Sequence, residues 1–225
     1  MNIESTTTKL YEYKWIYLFW FFIILWNINK AYHIDDPYYI EVAQWIQLYP
    51  FQPMSGLTNW YDKIEPFYKI NNPILFQYVQ SFWGSWFSYS EISSHSLISI
   101  FLLWLLIRFY HLAKLIKSKS PIFLTLIFGA CPALLINQNA MLDIPLLACF
   151  IEFYYIILNK NINENKKLFI ACIISSLAFL IKYTAILLFP ALIIYILLTK
   201  KYKNLLWLLF PFLSISLWGL LNILE

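Results

Sequence analysis

The sequence WIYLFWFFIILWNI (residues 15–28) is followed, after four intervening residues, by HIDDPYY (residues 33–39). The first stretch is apolar and aromatic almost throughout, whereas the second contains a histidine and two adjacent aspartates. An apolar run of this kind suits the hydrocarbon core of a bilayer, and carboxylates close to that core are costly to desolvate and tend to be functional. The boundary between the two stretches therefore predicts a membrane scaffold and the position of its reactive groups.

Composition assigns the chain to the membrane-protein class. Of its 225 residues, 61% are apolar, 20% are aromatic and only 12% are charged, whereas soluble domains average about a quarter charged residues. The apolar residues also occur in blocks of about 16–20, the length that lets a helix cross a bilayer. The three cysteines lie inside such blocks and are expected to be small buried thiols, not disulfides or metal ligands. No nucleic acid partner is expected.

The apolar blocks predict the number of spans. Residues 15–28 resemble a secretory signal, but residues 29–32 (NKAY) offer no small-x-small cleavage site, so an uncleaved first span is expected behind a tail of residues 1–14. Six further spans are predicted at 96–112, 121–138, 142–158, 168–183, 185–199 and 204–223. The fold class predicted is therefore an all-α polytopic membrane protein, a single membrane domain of residues 1–225 with about seven transmembrane helices.

The long polar segment at residues 29–95 is rich in Tyr, Trp, Asn and Pro. Within it, residues 38–49 and residues 73–87 place apolar and aromatic side chains at helical spacing. Trp and Tyr are enriched at membrane interfaces, so this spacing predicts two interfacial amphipathic helices. An ordinary folded extracellular loop is the alternative.

The distribution of basic residues orients the spans. Twelve of the sixteen basic residues lie in loops on one side: Lys9, Lys14, Arg108, Lys114, Lys117, Lys119, Lys160, Lys166, Lys167, Lys200, Lys201 and Lys203. The other side carries only Lys30, Lys63, Lys69 and Lys182. By the positive-inside rule the N-terminus lies in the cytoplasm, and the expected location is the cell inner membrane. Asp35, Asp36, Asp143 and Lys182 then all face the non-cytoplasmic side.

Asp35 and Asp36 are the leading candidates for chemistry. Adjacent like charges near an apolar phase favour protonation of one of them, which suits a general base. Two non-catalytic interpretations remain open: a solvated acidic loop, or a negative charge at the N-terminus of the following helix. With His33 the pair could also bind a divalent cation, because hard cations favour carboxylate oxygens.

Three further charged residues lie at or inside predicted spans. Asp143 opens the span at 142–158, where it could act as an N-cap. Lys182 closes the span at 168–183, either as a snorkelling lysine or as a cation that meets a phosphate. Glu152 lies at mid-span, where a carboxylate needs a partner inside the bundle, and a structural role is expected for it.

The order of these motifs resembles the N-terminal module of GT-C superfamily polytopic membrane glycosyltransferases, in the branch of protein O-mannosyltransferases and lipid A aminoarabinose transferases. Those enzymes open with a span, an acidic pair and a tyrosine-containing helix, as in DDPYYIEVA (residues 35–43). A proline-led segment, an aspartate that opens the fourth span and a Leu-x-Lys that closes the fifth then follow. The matching stretches are NPILFQY (72–78), MLDIP (141–145) and LIK (180–182). The resemblance covers roughly residues 15–200.

The resemblance implies transfer of a sugar from a polyprenyl-phosphate donor to a lipid, glycan or protein acceptor on the non-cytoplasmic side. Asp35 would be the general base, and Asp36 would position the acceptor or a cation. Lys182, with His95 and Lys69 as weaker candidates, would hold the phosphate charge as it develops. The prenyl tail would lie in apolar grooves between the interfacial helices and the spans, with membrane lipids as further partners. The implied substrate-binding residues are His33, Tyr39, Lys69, His95, Asp143 and Lys182.

The chain also departs from the family pattern. Asn72, His95 and Tyr183 stand where a lysine, an arginine and a glycine are usual, and such enzymes are normally about twice as long. A truncated, non-catalytic remnant or a partner subunit is therefore one alternative. A small transporter is another, although Glu152 is nearly alone at mid-span depth and four glycines are few for a transporter with broken helices.

Overall fold

The computed structural model describes residues 3–60, 62–70, 72–136 and 138–224. Its α-helices are α1 (Ile3–Asn27), α2 (Asp36–Leu48), α3 (Leu75–Phe87), α4 (Glu91–Leu115), α5 (Pro121–Gly129), α6 (Pro132–Leu135), α7 (Asp143–Leu158), α8 (Glu164–Ile181), α9 (Leu188–Leu198) and α10 (Leu209–Leu224). A two-stranded antiparallel sheet is formed by β1 (Leu57–Trp60) and β2 (Lys63–Pro66). Three 3₁₀ segments lie at Phe67–Ile70, Tyr183–Leu187 and Tyr202–Leu208.

Every predicted span coincides with helical structure, but the helices differ in their capacity to cross a bilayer. Within the described parts of the chain, two stretches are long and apolar enough by themselves, Glu91–Leu115 and Tyr202–Ile223. Helix α7 has 16 residues and would extend about 24 Å, less than the roughly 30 Å of the hydrocarbon core. The structure therefore agrees with a membrane protein, while seven spans stay a prediction.

The outer surface of the helices is apolar over several turns. On α1, Phe21, Phe22, Leu25 and Trp26 are 54–75% exposed. Contiguous exposed apolar surface of this kind is rare on soluble monomers. It is the surface expected of helices that face lipid.

The interior centres on α4, α7 and α8. The leucines Leu102, Leu105 and Leu106 of α4 are fully buried and belong to the main apolar core. Ala171 and Ala178 are buried on α8, where small side chains let helix backbones approach closely, as membrane helices require. All three cysteines are free thiols; Cys149 and Cys172 are buried as predicted, whereas Cys131 is only half-buried.

The span predicted at 121–138 is two helices. Helix α5 ends at Gly129, where an added Cβ would lie 2.6 Å from a ring carbon of Phe19, so α1 and α5 are in close contact there. Pro132 then starts α6, because a proline has no N–H to continue the hydrogen bonds of the preceding helix. The chain thereby turns toward the start of α7.

The polar segment at residues 29–95 has a small core of its own. The two helices predicted in it are present as α2 and α3, and they pack together. Tyr38 and Val42 of α2 are buried with Met54, Phe67 and Ile74 in a second apolar cluster. The amphipathic segment is therefore a folded unit attached to the bundle.

The hairpin in this segment was not predicted. Leu57 pairs with Pro66 and Trp60 pairs with Lys63, and Asp62 takes a positive φ of 60° in the turn. Each strand has four residues, which is too short for an alternating pattern to stand out from the aromatic-rich sequence around it.

Glu152 has a partner inside the bundle, as expected. Its Oε2 lies 2.5 Å from Nε of Arg108 on α4 and accepts a hydrogen bond of 3.0 Å from the Trp104 indole N–H. Arg108 also stacks over the Tyr155 ring at 4.9 Å. These contacts fix the register of α7 on α4.

Removing one member of this pair should destabilise the protein. In Glu152→Leu the guanidinium of Arg108 loses its counter-charge, and because that side chain is 31% exposed we expect a loss of about 3 kcal/mol, the lower end for broken buried pairs. Thermal unfolding of the detergent-solubilised protein measures this. The double variant Arg108→Met/Glu152→Leu should recover most of the loss, and a double variant no more stable than the single one would contradict the coupling.

Candidate functional site

Asp36 is buried at the start of α2. Its side chain is fully inaccessible, and its Oδ2 accepts a hydrogen bond of 2.7 Å from the backbone N–H of His33. The backbone N–H of Asp36 in turn donates to the carbonyl of His33 at 2.9 Å. These two reciprocal hydrogen bonds close a turn between α1 and α2, so Asp36 stabilises the turn.

Burial sets the protonation of Asp36. Removal from solvent raises the pKa of its carboxyl above the usual range, while the backbone N–H groups of His33 and Ala140 and the Lys30 ammonium lower it. Among the described residues, none makes a close hydrogen bond to Oδ1. The ionised form of Asp36 is thus less favoured than that of a solvated aspartate.

Asp35 has the opposite environment. It stands at the N-cap position of α2, but its side chain caps no backbone N–H, and it is only half-buried. The turn held by Asp36 therefore leaves the Asp35 carboxylate available at the surface. Its charge still lies at the N-terminus of α2, so the interpretation of the pair as a helix-terminal charge stays open.

Asp143 and Lys182 form an ion pair. Nζ of Lys182 donates to Oδ1 of Asp143 at 2.8 Å, and the Asp143 side chain is 61% exposed whereas that of Lys182 is 27% exposed. Asp143 is the first residue of α7, and Lys182 directly follows α8. The pair thus joins the ends of two antiparallel helices at one surface.

Tyr39 connects Asp35 to this ion pair. Its hydroxyl has a pKa raised to about 12, first by burial and then by the carboxylates of Asp143 and Asp35, while the Asn72 side chain lowers it. Both carboxylates therefore lie within electrostatic range of one phenol. We call Asp35, Tyr39, Asp143 and Lys182 the Asp35–Lys182 cluster.

A cavity of about 260 Å³ opens beside the cluster. Asp143 and Asn139 are its polar lining, and apolar side chains form the rest of its wall: Ala133, Leu134, Met141, Ile144 and Leu147. The apolar wall suits a hydrocarbon chain, and Lys182, the partner of Asp143, is the cation next to the cavity.

Lys30 is a cation at this site for which no role was predicted. Its Nζ donates to Oδ1 of Asn139 at 2.6 Å and to the carbonyl of Ile136 at 3.1 Å. Lys30 thus ties the segment before Asp35 to the loop that precedes α7. Its position directly after the first span, ahead of two aspartates, was the signal that could have identified it.

His33, His95 and Lys69 do not join the cluster. The His33 side chain is exposed. His95 is 3% exposed inside the bundle, where it borders a space of about 10 Å³ with Asn27 and other polar residues. Lys69 is paired with Glu65 at 2.6 Å, and that contact raises the pKa of its ammonium. The described contacts give none of the three a part in the cluster.

The donor set for a metal is weak. In the part of the chain that the structure describes, no group of three or more His, Cys, Asp or Glu side chains is placed to hold an ion. The Asp36 carboxylate turns into the interior toward the His33 amide, so it does not converge with that of Asp35. The residues present do not fit a divalent cation at Asp35 and Asp36, and no step is assigned to one.

Residues 71–224 match the sequence profile described as dolichyl-phosphate-mannose-protein mannosyltransferase. The chain belongs to this family. The family is of the GT-C type, which confirms the resemblance found in the motifs and assigns the chain to the glycosyltransferases. No curated protein and no solved structure matches the chain significantly.

The family match covers one half of the cluster. Asp143 and Lys182 lie within it, but it begins after α2, so Asp35 and Tyr39 lie outside. The assignment of Asp35 to the candidate site therefore depends on its position before α2 and on the packing of that helix near Asp143.

The burial of Asp36 predicts a pH-dependent stability. Because its pKa is raised in the folded protein, its contribution is fully present below the ordinary aspartate value of about 4 and is lost as the pH rises through the raised pKa. Asp36→Asn cannot ionise and retains an oxygen for the His33 amide. The melting temperature of Asp36→Asn should therefore increase relative to that of the wild type as the pH rises from about 4. Parallel melting curves across this range would contradict the prediction.

Proposed function

We propose that the protein transfers a sugar from a polyprenyl-phosphate carrier to a lipid, glycan or protein acceptor at the non-cytoplasmic surface of the membrane. The observation that carries this proposal is the juxtaposition, across Tyr39, of a free carboxylate at Asp35 with the Asp143–Lys182 pair. A base and an anion-binding cation at one surface are the groups that such a transfer requires.

Asp35 acts as the general base. Its carboxylate accepts the proton from the acceptor hydroxyl as that oxygen attacks the anomeric carbon of the donor. The bond between the anomeric carbon and the phosphate oxygen breaks, so the carrier departs as polyprenyl phosphate and the sugar inverts its configuration. Asp36 does not contact the reactants but holds the turn that orients Asp35, which its hydrogen bond with His33 supports.

Lys182 stabilises the phosphate that leaves. Negative charge grows on that group as the glycosidic bond breaks, and a preplaced ammonium lowers the energy of the transition state. The phosphate competes with Asp143 for Lys182, and the exposed Asp143 carboxylate can turn to solvent when the donor binds. The Tyr39 hydroxyl, protonated at neutral pH with its pKa near 12, donates a hydrogen bond to the substrate.

The cavity beside Asp143 receives the first part of the carrier. Its wall is apolar apart from Asp143 and Asn139, so it suits a prenyl chain whose phosphate stays outside the cavity, beside Lys182. A lipid donor also gives a reason for a reactive cluster at the membrane surface, because the carrier cannot leave the bilayer. The asymmetry of basic residues supports the non-cytoplasmic side for this surface.

Asp35→Asn should abolish most of the activity. General bases contribute about 10²- to 10⁴-fold to rate, so we expect at least about a 100-fold loss of sugar incorporation into the acceptor fraction. The measurement is mass spectrometry of lipid A, surface glycans and secreted proteins from cells that depend on the gene, normalised to protein abundance.

Asp62→Asn is the matched control for this experiment. Asp62 is an exposed aspartate in the hairpin turn of the same segment, and asparagine tolerates its positive φ. Asp62→Asn should retain normal activity. Full activity of Asp35→Asn at normal abundance would remove the base assignment, and a folded wild type without turnover would favour a non-catalytic partner subunit.

Lys182→Gln should lower kcat/KM for the donor by about tenfold or more, because charge-assisted hydrogen bonds contribute about 1.5–3 kcal/mol and this one strengthens in the transition state. The double variant Asp143→Asn/Lys182→Gln separates two roles. If Lys182 only neutralises Asp143, the double variant regains activity. If Lys182 holds the phosphate, the double variant stays impaired, which is the outcome we expect from initial rates in detergent.

A further inference from the structure

A groove lies on the surface of the polar segment, between α2 and β1. Its volume is about 320 Å³, with Glu41, Gln44 and Trp45 of α2 on one side and Thr58 and Asn59 of β1 on the other. We call it the Glu41–Asn59 groove.

The groove is on the side of α2 that faces away from the candidate site. Glu41 follows Tyr39 by two residues, which is a rotation of about 200° around the helix axis. Tyr39 belongs to the Asp35–Lys182 cluster, so a ligand in the Glu41–Asn59 groove would not occupy that cluster. The groove is therefore a separate surface of the same folded segment.

The polar side chains of the groove leave several hydrogen-bonding groups available. The Thr58 hydroxyl, in a side chain that is buried, donates to Oε2 of Glu41 at 2.5 Å. This contact holds the carboxylate in place, and its second oxygen, Oε1, makes no hydrogen bond with a described residue. Gln44 and Asn59 are exposed, and within the described chain their amides have no hydrogen-bond partner either. The groove thus offers a carboxylate acceptor beside two amides that both donate and accept.

Trp45 and Phe67 supply the aromatic part of the lining. The indole N–H of Trp45 donates to the carbonyl of Gln52 at 3.0 Å. The Trp45 and Phe67 rings meet edge to face, with 6.3 Å between their centroids. These contacts orient both rings in the absence of a ligand, which lowers the entropy cost of binding.

The edge of β1 adds backbone groups to the groove. The backbone N–H of Phe67 donates to the carbonyl of Gly56 at 3.0 Å, and hydrogen-bonded positions alternate along an antiparallel pair. Leu57 and Asn59 therefore direct their backbone N–H and C=O groups away from β2. Both residues line the groove, so it is bordered by this edge of the hairpin.

We propose that the Glu41–Asn59 groove binds a neutral saccharide. Sugar hydroxyls both donate and accept hydrogen bonds, which matches a carboxylate beside two amides. The C–H groups of a sugar ring pack against aromatic side chains, whose π face is negative. No lysine or arginine is among the described residues that line the groove, so the Glu41 carboxylate disfavours a phosphorylated or acidic ligand. Binding here does not depend on sugar transfer at the Asp35–Lys182 cluster.

An extended peptide is the alternative ligand for the edge of β1. Strand addition takes its affinity from a row of main-chain hydrogen bonds, whereas this edge directs the backbone groups of only Leu57 and Asn59 outward. Most of the polar groups of the groove belong to side chains instead. This arrangement favours a saccharide, whose hydroxyls point in several directions.

The test uses the full chain, purified in a detergent without a sugar headgroup. Binding of maltotriose, mannotriose and chitotriose is measured by saturation-transfer NMR on the wild type, Glu41→Gln, Gln44→Ala and Asp62→Asn. Glu41→Gln retains an oxygen for the Thr58 hydroxyl. Asp62→Asn is the matched control, because it removes one negative charge from the same segment and Asp62 does not line the groove.

We expect at least one trisaccharide to bind the wild type and Asp62→Asn equally. Glu41→Gln should bind it at least about fivefold more weakly and Gln44→Ala at least about twofold more weakly, from the loss of one hydrogen bond each. If Glu41→Gln does not fold, Gln44→Ala decides the question, because its exposed amide has no partner in the described chain.

Two kinds of result would overturn the proposal. Equal binding to all four proteins would place the saccharide elsewhere, and the absence of binding at about 10 mM would leave the groove without this ligand. Binding of an uncharged four-residue peptide in place of the sugars, weakened by the same two substitutions, would also overturn it and would identify strand addition at β1.

Discussion

The ion pair between Arg108 and Glu152 fixes how α7 lies on α4, and the candidate site depends on that register. In low-dielectric surroundings, a carboxylate and a guanidinium favour the one helix arrangement that pairs them, because each charge is costly without the other. The Trp104 indole N–H adds a directional contact to the same oxygen. Once α7 is placed, Asp143 stands at one end and Tyr155 at the other. This interior contact thereby contributes to the placement of Asp143 in the candidate site.

Asp35 and Asp36 show how a fold gives two identical neighbours different chemistry. Asp36 stabilises a turn, since its carboxylate is buried and accepts a hydrogen bond from the His33 backbone N–H. That turn orients the start of α2 and leaves Asp35 half-buried with no capping duty. Tyr39, four residues further on, lies on the same side of the helix and within range of Asp143. In the proposed reaction, Asp36 is therefore the positioning residue and Asp35 is the base.

The sequence predicted the helices because long apolar blocks and helical spacing are strong, local signals. It also predicted that Asp143 and Lys182 face one side, since both lie at span ends. It did not predict that they pair, nor that Asp36 is buried, because those facts depend on contacts between segments far apart in the chain. The hairpin was not predicted because its strands have only four residues each. The interruption between α5 and α6 was missed since a proline in an apolar block does not by itself distinguish a kink from a break.

Exposure decides what the Asp143–Lys182 pair can do. The carboxylate is the more exposed partner, 61% against 27% for the ammonium, so solvent can stabilise Asp143 if Lys182 turns to another anion. Exposed ion pairs contribute little net stability, and exchange of partners is correspondingly inexpensive. A pair of the same geometry with the lysine exposed and the aspartate buried would bind a phosphate less readily, because the abandoned carboxylate would then lack both water and a counter-charge. In the proposed reaction the aspartate holds the lysine in position until the donor phosphate replaces it.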